Sequence, residues 1–378
     1  MALRRIAAWL AIACLAALAA AQQPALPPPE AAAGSAALAQ GDFAAAEAHF
    51  RAALRKQPNS VGLLNDLAIS LVRQGREGDA IPYYQRALRL APGNATTRRN
   101  LAIAYFRERR FAAALPLLDR LAADNRGDFQ VLDLRGLCLF ALDRYAAAAR
   151  VLEQASQANP RDLPTLYMLG QAQLRAGNYP AVVGVFRRIM QLAPNSAEAH
   201  VMMGTADDKM FKVPDAVKEY QAAEAADPRF PGVHSGLGLL YWKLDRVADA
   251  EREFRAELAL EPNDAVSNCL LGQISIREAR PAAAKTLFAR ALAANPRYRQ
   301  AWFGLGQAEI KLADYAAAAR SLRRSIALDG QDAQAHFLLG TALDHLGDRA
   351  AARRERQLSA AIQARQRAQY TRKLQSSH

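Results

Sequence analysis

The sequence has few cysteines and lacks the motifs that mark common catalytic sites. Its 378 residues include three cysteines, Cys14, Cys138 and Cys269, which excludes the disulfide framework of a small secreted domain. It contains no glycine-rich phosphate-binding loop, no nucleophile elbow and no HExxH metal motif. We therefore predict that the chain is not an enzyme and that it needs no cofactor.

The sequence does contain a strict period of 34 residues. Proline marks this period at Pro58, Pro92, Pro160, Pro194, Pro228, Pro262 and Pro296. Arg126 and Gly330 stand at the two places where the series is broken. A small residue lies 24 residues before each of these places, alanine usually lies 12 before, and an aromatic residue or leucine lies 8 before. Nine units follow one another without insertion or deletion and a tenth is half formed, which indicates stacked supersecondary units.

This order of residues resembles the tetratricopeptide repeat, a pair of antiparallel helices that recurs every 34 residues. The resemblance covers residues 27–366, and the repeats use up most of the chain. The repeat starts are 27, 61, 95, 129, 163, 197, 231, 265, 299 and 333, and repeat positions are counted from them. The resemblance implies an all-α, right-handed superhelical solenoid of about ten helix-turn-helix units.

Helical spacing in the fifth repeat agrees with that expectation. Leu166 and Leu169 fall on one stripe of a first helix. Gly177 lies in the following turn, where we expect a positive φ. Pro194 is expected to end the second helix, because proline has no backbone N–H and restricts the residue before it.

The third repeat departs most from this pattern. It has Arg126 at the proline position and Arg109 at the turn position. We therefore expect a looser connection at residues 124–128.

The amino terminus lies outside the repeat and has the order of a secretory signal peptide. Arg4 and Arg5 precede an apolar run at residues 6–20, which is too short to cross a bilayer comfortably. Small residues follow, so we predict a signal peptide at residues 1–21 that is cleaved near Ala21. The protein is then exported to the periplasm or secreted from a bacterial-type cell.

An alternative for the amino terminus is lipid attachment at Cys14, which would make the protein a membrane-anchored lipoprotein. The three residues before Cys14 lack the leucine that is usual in a bacterial lipoprotein signal. Residues 22–30 are rich in glutamine and proline and are predicted to form a short extended linker.

Positive charge is concentrated at the carboxyl terminus. The whole chain has 49 Lys and Arg against 36 Asp and Glu, a net charge of +13. Residues 349–378 contain eight basic residues and one acidic residue, Glu355. Arg356 stands where earlier repeats have an aromatic residue or leucine, so we predict a basic capping helix or tail with a polar outer face. The alternative is membrane association through contact with acidic lipid, or contact with another polyanion.

Three histidines share the fourth position of their repeats: His200, His234 and His336. A metal ion could join the first two, which lie in adjacent repeats, but no third ligand recurs at suitable spacing. We therefore expect these side chains to pack between helices, and no metal site is predicted.

A basic residue recurs at position 13 of most repeats. The series is Arg73, Arg107, Arg175, Lys209, Lys243, Arg277, Lys311 and His345. Such a ladder could attract nucleic acid. However, a basic residue here is typical of the family that the chain resembles, and no aromatic residues alternate with it for base stacking. We therefore do not predict nucleic acid as a partner.

In the family that this chain resembles, the first helices line a concave groove through positions 2, 5, 9 and 12. At these positions the later repeats present Tyr167, Gln171, Val201, Thr205, Leu239, Trp242, Gln273, Ile276, Phe303, Gln307, Ile310, Phe337 and Thr341. The set is mainly apolar and aromatic, with amide or hydroxyl groups recurring at position 9. The alternative is that several of these side chains pack against the next helix.

Some relatives in that family grip a C-terminal carboxylate with Lys, Arg and Asn side chains from consecutive repeats. Asn65, Arg99 and Asn100 match fragments of that set, but Asp133 would repel a carboxylate. We therefore do not expect that binding mode.

Taken with the resemblance, these positions predict a non-enzymatic scaffold of the bacterial cell envelope that binds an extended peptide or partner segment in its groove. The alternative is an accessory subunit of an envelope enzyme or of a secretion or assembly complex.

Overall fold

The computed structural model describes residues 28–376. The predicted signal peptide and Cys14 lie outside the described residues. The first helix begins at Pro29, so the end of the predicted linker at residues 22–30 is already helical. Every regular element in the described part of the chain is a helix, and the predicted all-α repeat fold is confirmed.

Each repeat contributes a first and a second helix, and in repeats 1–4 and 6–10 these two pack together as a hairpin. The first helices are α1 (Pro29–Gln40), α3 (Val61–Arg73), α5 (Ala95–Arg107), α7 (Phe129–Ala141), α9 (Leu163–Arg175), α11 (Ala197–Lys209), α13 (Val233–Lys243), α15 (Ala265–Arg277), α17 (Arg299–Lys311) and α19 (Ala333–His345). The second helices are α2 (Phe43–Lys56), α4 (Glu77–Leu90), α6 (Phe111–Asp124), α8 (Tyr145–Ala158), α10 (Tyr179–Leu192), α12 (Val213–Ala226), α14 (Val247–Leu260), α16 (Pro281–Ala294), α18 (Tyr315–Leu328) and α20 (Arg349–Ser376).

The helices group into two compact units, one ending at Ala176 and the other beginning at Gly177. Within each unit a helix packs against the helices that precede and follow it in the chain. In the first unit α5, α7 and α9 also contact one another in succession. In the second unit α13 contacts α15, α15 contacts α17, and α17 contacts α19, so these first helices lie side by side.

Most first helices begin after a side-chain cap at the last position of the preceding repeat. The caps are Ser60, Asn94, Asp128, Asp162, Ser196, Asp264 and Asp332. Each side chain accepts a hydrogen bond from a backbone N–H in the first turn, which has no partner inside the helix. Helix α13 is different, because it begins after Gly232 at a φ of 80°.

All ten hairpin turns place one residue in the left-handed backbone region. Glycine supplies it at Gly41, Gly75, Gly177 and Gly347. Other residues supply it at Arg109, Asp143, Phe211, Asp245, Ala279 and Ala313. The positive φ predicted for Gly177 is confirmed at 75°. The turn geometry is therefore constant although the residue type is not.

The looser connection expected at residues 124–128 is not observed. Asn125 N–H donates to the Leu121 carbonyl oxygen at 2.9 Å, as Asn159 N–H does to the Ala155 carbonyl oxygen in the next connection. The bond from Asp128 N–H to the Asn125 carbonyl oxygen, at 3.4 Å, also matches that from Asp162 N–H to the Asn159 carbonyl oxygen, so the connection without proline keeps the same backbone hydrogen bonds.

In six of the repeats an aromatic or leucine side chain at position 24 fills the space between the two helices, where it lies against a glycine of the first helix. In the sixth repeat, a Cβ added to Gly204 would lie 2.7 Å from Tyr220 Cδ2. A Cβ added to Gly236, on the first helix of the next repeat, would lie 2.2 Å from Tyr220 Cε1. The tyrosine ring is thus held between α11 and α13, and it joins the two repeats.

The last helix, α20, covers α19 and then extends beyond it. Ala352, Ser359 and Ile362 are buried, and the Ser359 hydroxyl donates to the Ala333 carbonyl oxygen at 2.7 Å. From Gln363 onward the described side chains of this helix are exposed.

Candidate functional site

The predicted groove positions lie on first helices in both compact units. Tyr167 and Gln171 lie on α9 in the first unit. Eleven positions lie on α11, α13, α15, α17 and α19 of the second unit, and we call these eleven the first-helix face. They are Val201, Thr205, Leu239, Trp242, Gln273, Ile276, Phe303, Gln307, Ile310, Phe337 and Thr341.

The side chains of the first-helix face are accessible to solvent. Phe337 is 51% exposed and Leu239 is 37% exposed. The other nine are half-buried, and none of the eleven is buried. A partner could therefore contact this face without any rearrangement of the helices.

Several apolar side chains of the face also support the core beneath it. Trp242 packs against the cluster that contains Phe254, and the Arg277 guanidinium carbon lies 4.9 Å from the centre of its indole ring. Phe303 packs against the cluster that contains Leu322. Part of the Trp242 side chain and part of the Phe303 side chain thus pack against the core, as in the alternative prediction, while the rest of each contacts solvent.

The polar side chains of the face fall into two groups. The Thr205 hydroxyl donates to the Val201 carbonyl oxygen at 2.8 Å, and the Thr341 hydroxyl donates within its own helix in the same way. Among the residues that the structure describes, the amides of Gln273 and Gln307 have no hydrogen-bond partner. Each of these amides offers two N–H donors and a carbonyl acceptor to a ligand.

Phe337 borders an open surface cleft of about 730 Å³ at the end of the face. Arg299, Gln334, Gln363 and Gln366 also line this cleft. Asp329 and Asp332 line it too, and Arg299 Nη1 lies 2.6 Å from Asp332 Oδ2, so the guanidinium is already paired. The phenyl ring with the amides beside it suits an apolar side chain and the backbone that carries it.

The fragments of a carboxylate-binding set in the first compact unit are engaged with their neighbours. Asn65 Nδ2 donates to the Thr97 hydroxyl at 2.8 Å. Arg99 Nη2 lies 2.5 Å from Asp128 Oδ2. Burial raises the pKa of Asp133. The Asn65 and Arg99 side chains are thus bonded to neighbouring side chains, whereas the raised pKa of Asp133 weakens the repulsion that was expected from its charge.

The basic ladder at position 13 connects successive repeats. Contacts to the preceding repeat are Arg73 with Phe43, Arg107 with Glu77, Lys243 with Asp208, Arg277 with Asp245 and His345 with Tyr315. They include ion pairs, a cation–π contact and a parallel ring stack. At these five positions the side chain therefore links its repeat to the preceding one.

Sequence reasoning missed a recurring hydrogen bond at position 4. Side chains there donate to the backbone carbonyl six residues earlier, in the connection from the preceding repeat. The pairs are Arg98 with Pro92, His234 with Pro228, Asn268 with Pro262, Trp302 with Pro296 and His336 with Gly330, at 2.7 to 3.3 Å. The only signal in the sequence is an N–H-bearing side chain at this position.

Each position-4 histidine also meets a glutamate 19 residues later. The pairs are His200 with Glu219, His234 with Glu253 and His336 with Glu355, with Nδ1 to carboxylate distances of 2.7, 2.9 and 2.6 Å. His234 and His336 are buried and His200 is half-buried. The glutamates lie on the second helix of the same hairpin, so these pairs join its two helices.

The two cysteines of the described chain, Cys138 and Cys269, are buried free thiols. Burial raises the pKa of Cys138 to about 12 and that of Cys269 to about 11, which leaves both protonated and unreactive at neutral pH. Among the described helices, none is long and apolar enough to cross a membrane.

The chain matches two family models of the tetratricopeptide repeat. One matches residues 31–95, 201–265, 269–312 and 305–368, and the other matches residues 71–138 and 139–206. No curated protein sequence matches the chain.

Three of the solved structures with similar helical arrays match different shares of this chain. Yeast Tom70 is 13% identical over 90% of this chain and 89% of its own, with a TM-score of 0.46. Pseudomonas aeruginosa PilF is 21% identical over 57% of this chain and 97% of its own, with a TM-score of 0.48. YrrB, described as a TPR protein with an unusual peptide-binding site, is 17% identical over 47% of this chain and 92% of its own, with a TM-score of 0.43.

Proposed function

Because this chain belongs to the tetratricopeptide repeat family, we propose that it is a non-enzymatic scaffold that binds an extended segment of a partner protein along the first-helix face. Family membership supports a role in protein interaction. The observation that carries the finer proposal is the accessible apolar and aromatic surface beside two unpaired amides, Gln273 and Gln307. The partner segment is therefore partly apolar and has a free backbone.

A bound partner would cover exposed apolar side chains of the first-helix face and form hydrogen bonds with its amides. Exposed apolar side chains such as Phe337 and Leu239 gain free energy when a partner removes them from water. An extended peptide presents unpaired N–H and C=O groups to which Gln273 and Gln307 can donate and accept. Aromatic residues such as Trp242 and Phe303 are the residue type that most often dominates binding energy at an interface.

A peptide-binding experiment tests this proposal. Peptides selected from a random library on the wild-type chain are titrated against Phe337→Ala, Trp242→Ala and Phe303→Ala by calorimetry. We expect each change to weaken binding about tenfold or more, since anchors of this kind contribute about 2 kcal/mol. Phe337→Ala is the cleanest variant, because Trp242 and Phe303 also pack against the core.

Leu346→Ala is the matched control, since Leu346 is 49% exposed and lies outside the first-helix face. It should leave the affinity unchanged. Replacing Arg365 and Arg367 of α20 with glutamine should change only the salt dependence of binding. If those arginine changes abolish binding while Phe337→Ala has no effect, the basic helix is the contact surface and the proposal is wrong.

The cell envelope is the proposed site of action. Support comes from the order of charged, apolar and small residues at positions 1–21, which is typical of a secretory signal. Sequencing of the mature amino terminus should show a start near Gln22, in the envelope fraction. A full-length amino terminus on cytoplasmic protein would contradict export, whereas a lipid on Cys14 would identify the lipoprotein form.

A further inference from the structure

Three side chains with metal-ligand chemistry meet where the sixth and seventh repeats join. His234 on α13, Glu253 on α14 and Glu224 on α12 each bring one ligand atom to within 4.8 Å of the other two. His234 Nδ1 lies 2.9 Å from Glu253 Oε2 and 3.8 Å from Glu224 Oε1. His234 and Glu253 are buried, whereas Glu224 is half-buried and leaves the cluster open to solvent.

The surroundings orient two of these three groups. His234 Nε2 lies 3.1 Å from the Pro228 carbonyl oxygen, so Nε2 carries a proton and donates it. Arg252 holds the other oxygen of Glu253, Oε1, at 3.1 Å. Metal-binding histidines and carboxylates are commonly held in this way by a second hydrogen bond.

This arrangement brings three hydrogen-bond acceptors together in one cluster. With the proton on Nε2, the Nδ1 lone pair of His234 faces carboxylate oxygens of Glu253 and Glu224. Three acceptors that face one another repel, and a metal ion bound between them would replace that repulsion by coordination.

The other position-4 histidines provide an internal comparison. His336 makes the same two contacts, to Glu355 and to the Gly330 carbonyl oxygen. Glu224 lies ten residues before His234. The residues ten before His336 and His200 are Ile326 and Met190, which have no carboxylate. A histidine–glutamate pair is therefore sufficient for the hairpin, and Glu224 is an addition specific to His234.

We propose that Glu224, His234 and Glu253 form a Zn²⁺ site that joins the sixth and seventh repeats. Zinc bonds of 2.0–2.2 Å in a tetrahedral site place ligand atoms about 3.4 Å apart, a spacing that the observed distances of 2.9 and 3.8 Å bracket. One imidazole and two carboxylates suit zinc better than magnesium or calcium, which prefer oxygen ligands alone. Three protein ligands leave a fourth position for water.

The test is a Zn²⁺ titration of the metal-free full-length chain by calorimetry, with Co²⁺ absorption to report the ligand geometry. We expect one site in the wild type. Glu224→Gln and His234→Gln should each weaken it about tenfold or more, since even indirect partners of a metal ligand contribute that much. His336→Gln is the matched control and should leave the affinity unchanged.

Thermal melting provides a second readout. Zn²⁺ should raise the melting temperature of the wild type and of His336→Gln, but not that of Glu224→Gln, because a ligand bound only to the folded state stabilises that state. Since Glu224 is half-buried, its replacement by glutamine should leave the fold intact, which circular dichroism checks. If the wild type binds no Zn²⁺, or if Glu224→Gln binds it as tightly, the cluster is only a contact between helices and the proposal fails.

Discussion

At the scale of single residues, the hairpin turns show how strongly the array constrains its backbone. The same turn residue has a positive φ in all ten repeats, yet only four of the ten are glycine. A residue with a Cβ in this region is less stable by about 1–2 kcal/mol than in the right-handed region. Six turns therefore retain strain that the packing of their helices offsets.

Phe211 offers the clearest test of that strain. Its φ is 62° and its side chain is 90% exposed, so replacement removes almost no packing. Phe211→Gly should stabilise the protein by about 0.5–1 kcal/mol, because the gain in the turn exceeds the entropy that glycine adds to the unfolded chain. Urea unfolding measures the difference.

Phe211→Ala is the control for this prediction. It removes the aromatic ring but keeps the Cβ, and it should leave stability nearly unchanged. If Phe211→Gly were instead less stable than Phe211→Ala, the left-handed turn would not be a source of strain.

At the scale of helices, Asp128 combines two functions at the start of α7. Its carboxylate accepts from Val131 N–H at 3.1 Å and pairs with Arg99 on α5 at 2.5 Å. The hydrogen bond from Arg99 is the main reason that the pKa of Asp128 lies below its usual value. One side chain thus caps its own helix and ties it to the preceding repeat.

Replacing Asp128 separates the two contributions. Asp128→Asn keeps a capping oxygen and loses the ion pair, which should cost about 0.2–1 kcal/mol. Asp128→Ala loses both and should cost about 1–2 kcal/mol. Asp264→Ala is the control for a cap alone, since Asp264 accepts from Ser267 N–H and has no ion pair among the described residues.

The ion pair also predicts a pH dependence. Because the folded pKa of Asp128 is lowered, its contribution is complete above the unfolded pKa of about 3.9 and is lost as pH falls through the lower folded value. The difference in unfolding free energy between wild type and Asp128→Asn should therefore shrink from pH 7 to about pH 3. A difference that stays constant over this range would show that Arg99 does not stabilise the ionised form.

The sequence predicted elements better than it predicted contacts between them. The stripe through Leu166 and Leu169 and the turn at Gly177 depend on neighbours in the chain, so spacing alone reveals them. The meeting of His234 with Glu253 and Glu224 depends on three helices, and spacing along one helix carries no signal for it. The same limit explains why the free amide of Gln273 could not be told from the bonded hydroxyl of Thr205.

At the scale of the whole molecule, the described chain is a series of repeats, and within each compact unit a helix contacts mainly the helices next to it in the chain. Stability in such an array is a sum of local terms. Tyr220 illustrates the coupling, because its ring lies against Gly204 in its own repeat and against Gly236 in the next. Disturbance at one such ring should spread only to adjacent repeats.

Gly204→Leu should destabilise the protein by about 3 kcal/mol, since overpacking costs about 1–3 kcal/mol and Tyr220 leaves no room for a side chain. Hydrogen exchange should show loss of amide protection in α10 to α14 and little change elsewhere. Gly184→Leu is the control, because no atom lies within 4 Å of a Cβ added there. Equal loss of protection along the whole chain would contradict local coupling.

The hydrogen bond at position 4 has a consequence for the gene. Its acceptor is a backbone carbonyl, which proline provides at Pro228 and glycine provides equally at Gly330. A repeat therefore requires only a backbone carbonyl group in the connection before it, and the side chain of the residue that provides this group does not matter. In-frame duplication or deletion of 34 codons would recreate the same junction, so recombination could change the length of the array while every remaining repeat kept its local bonding.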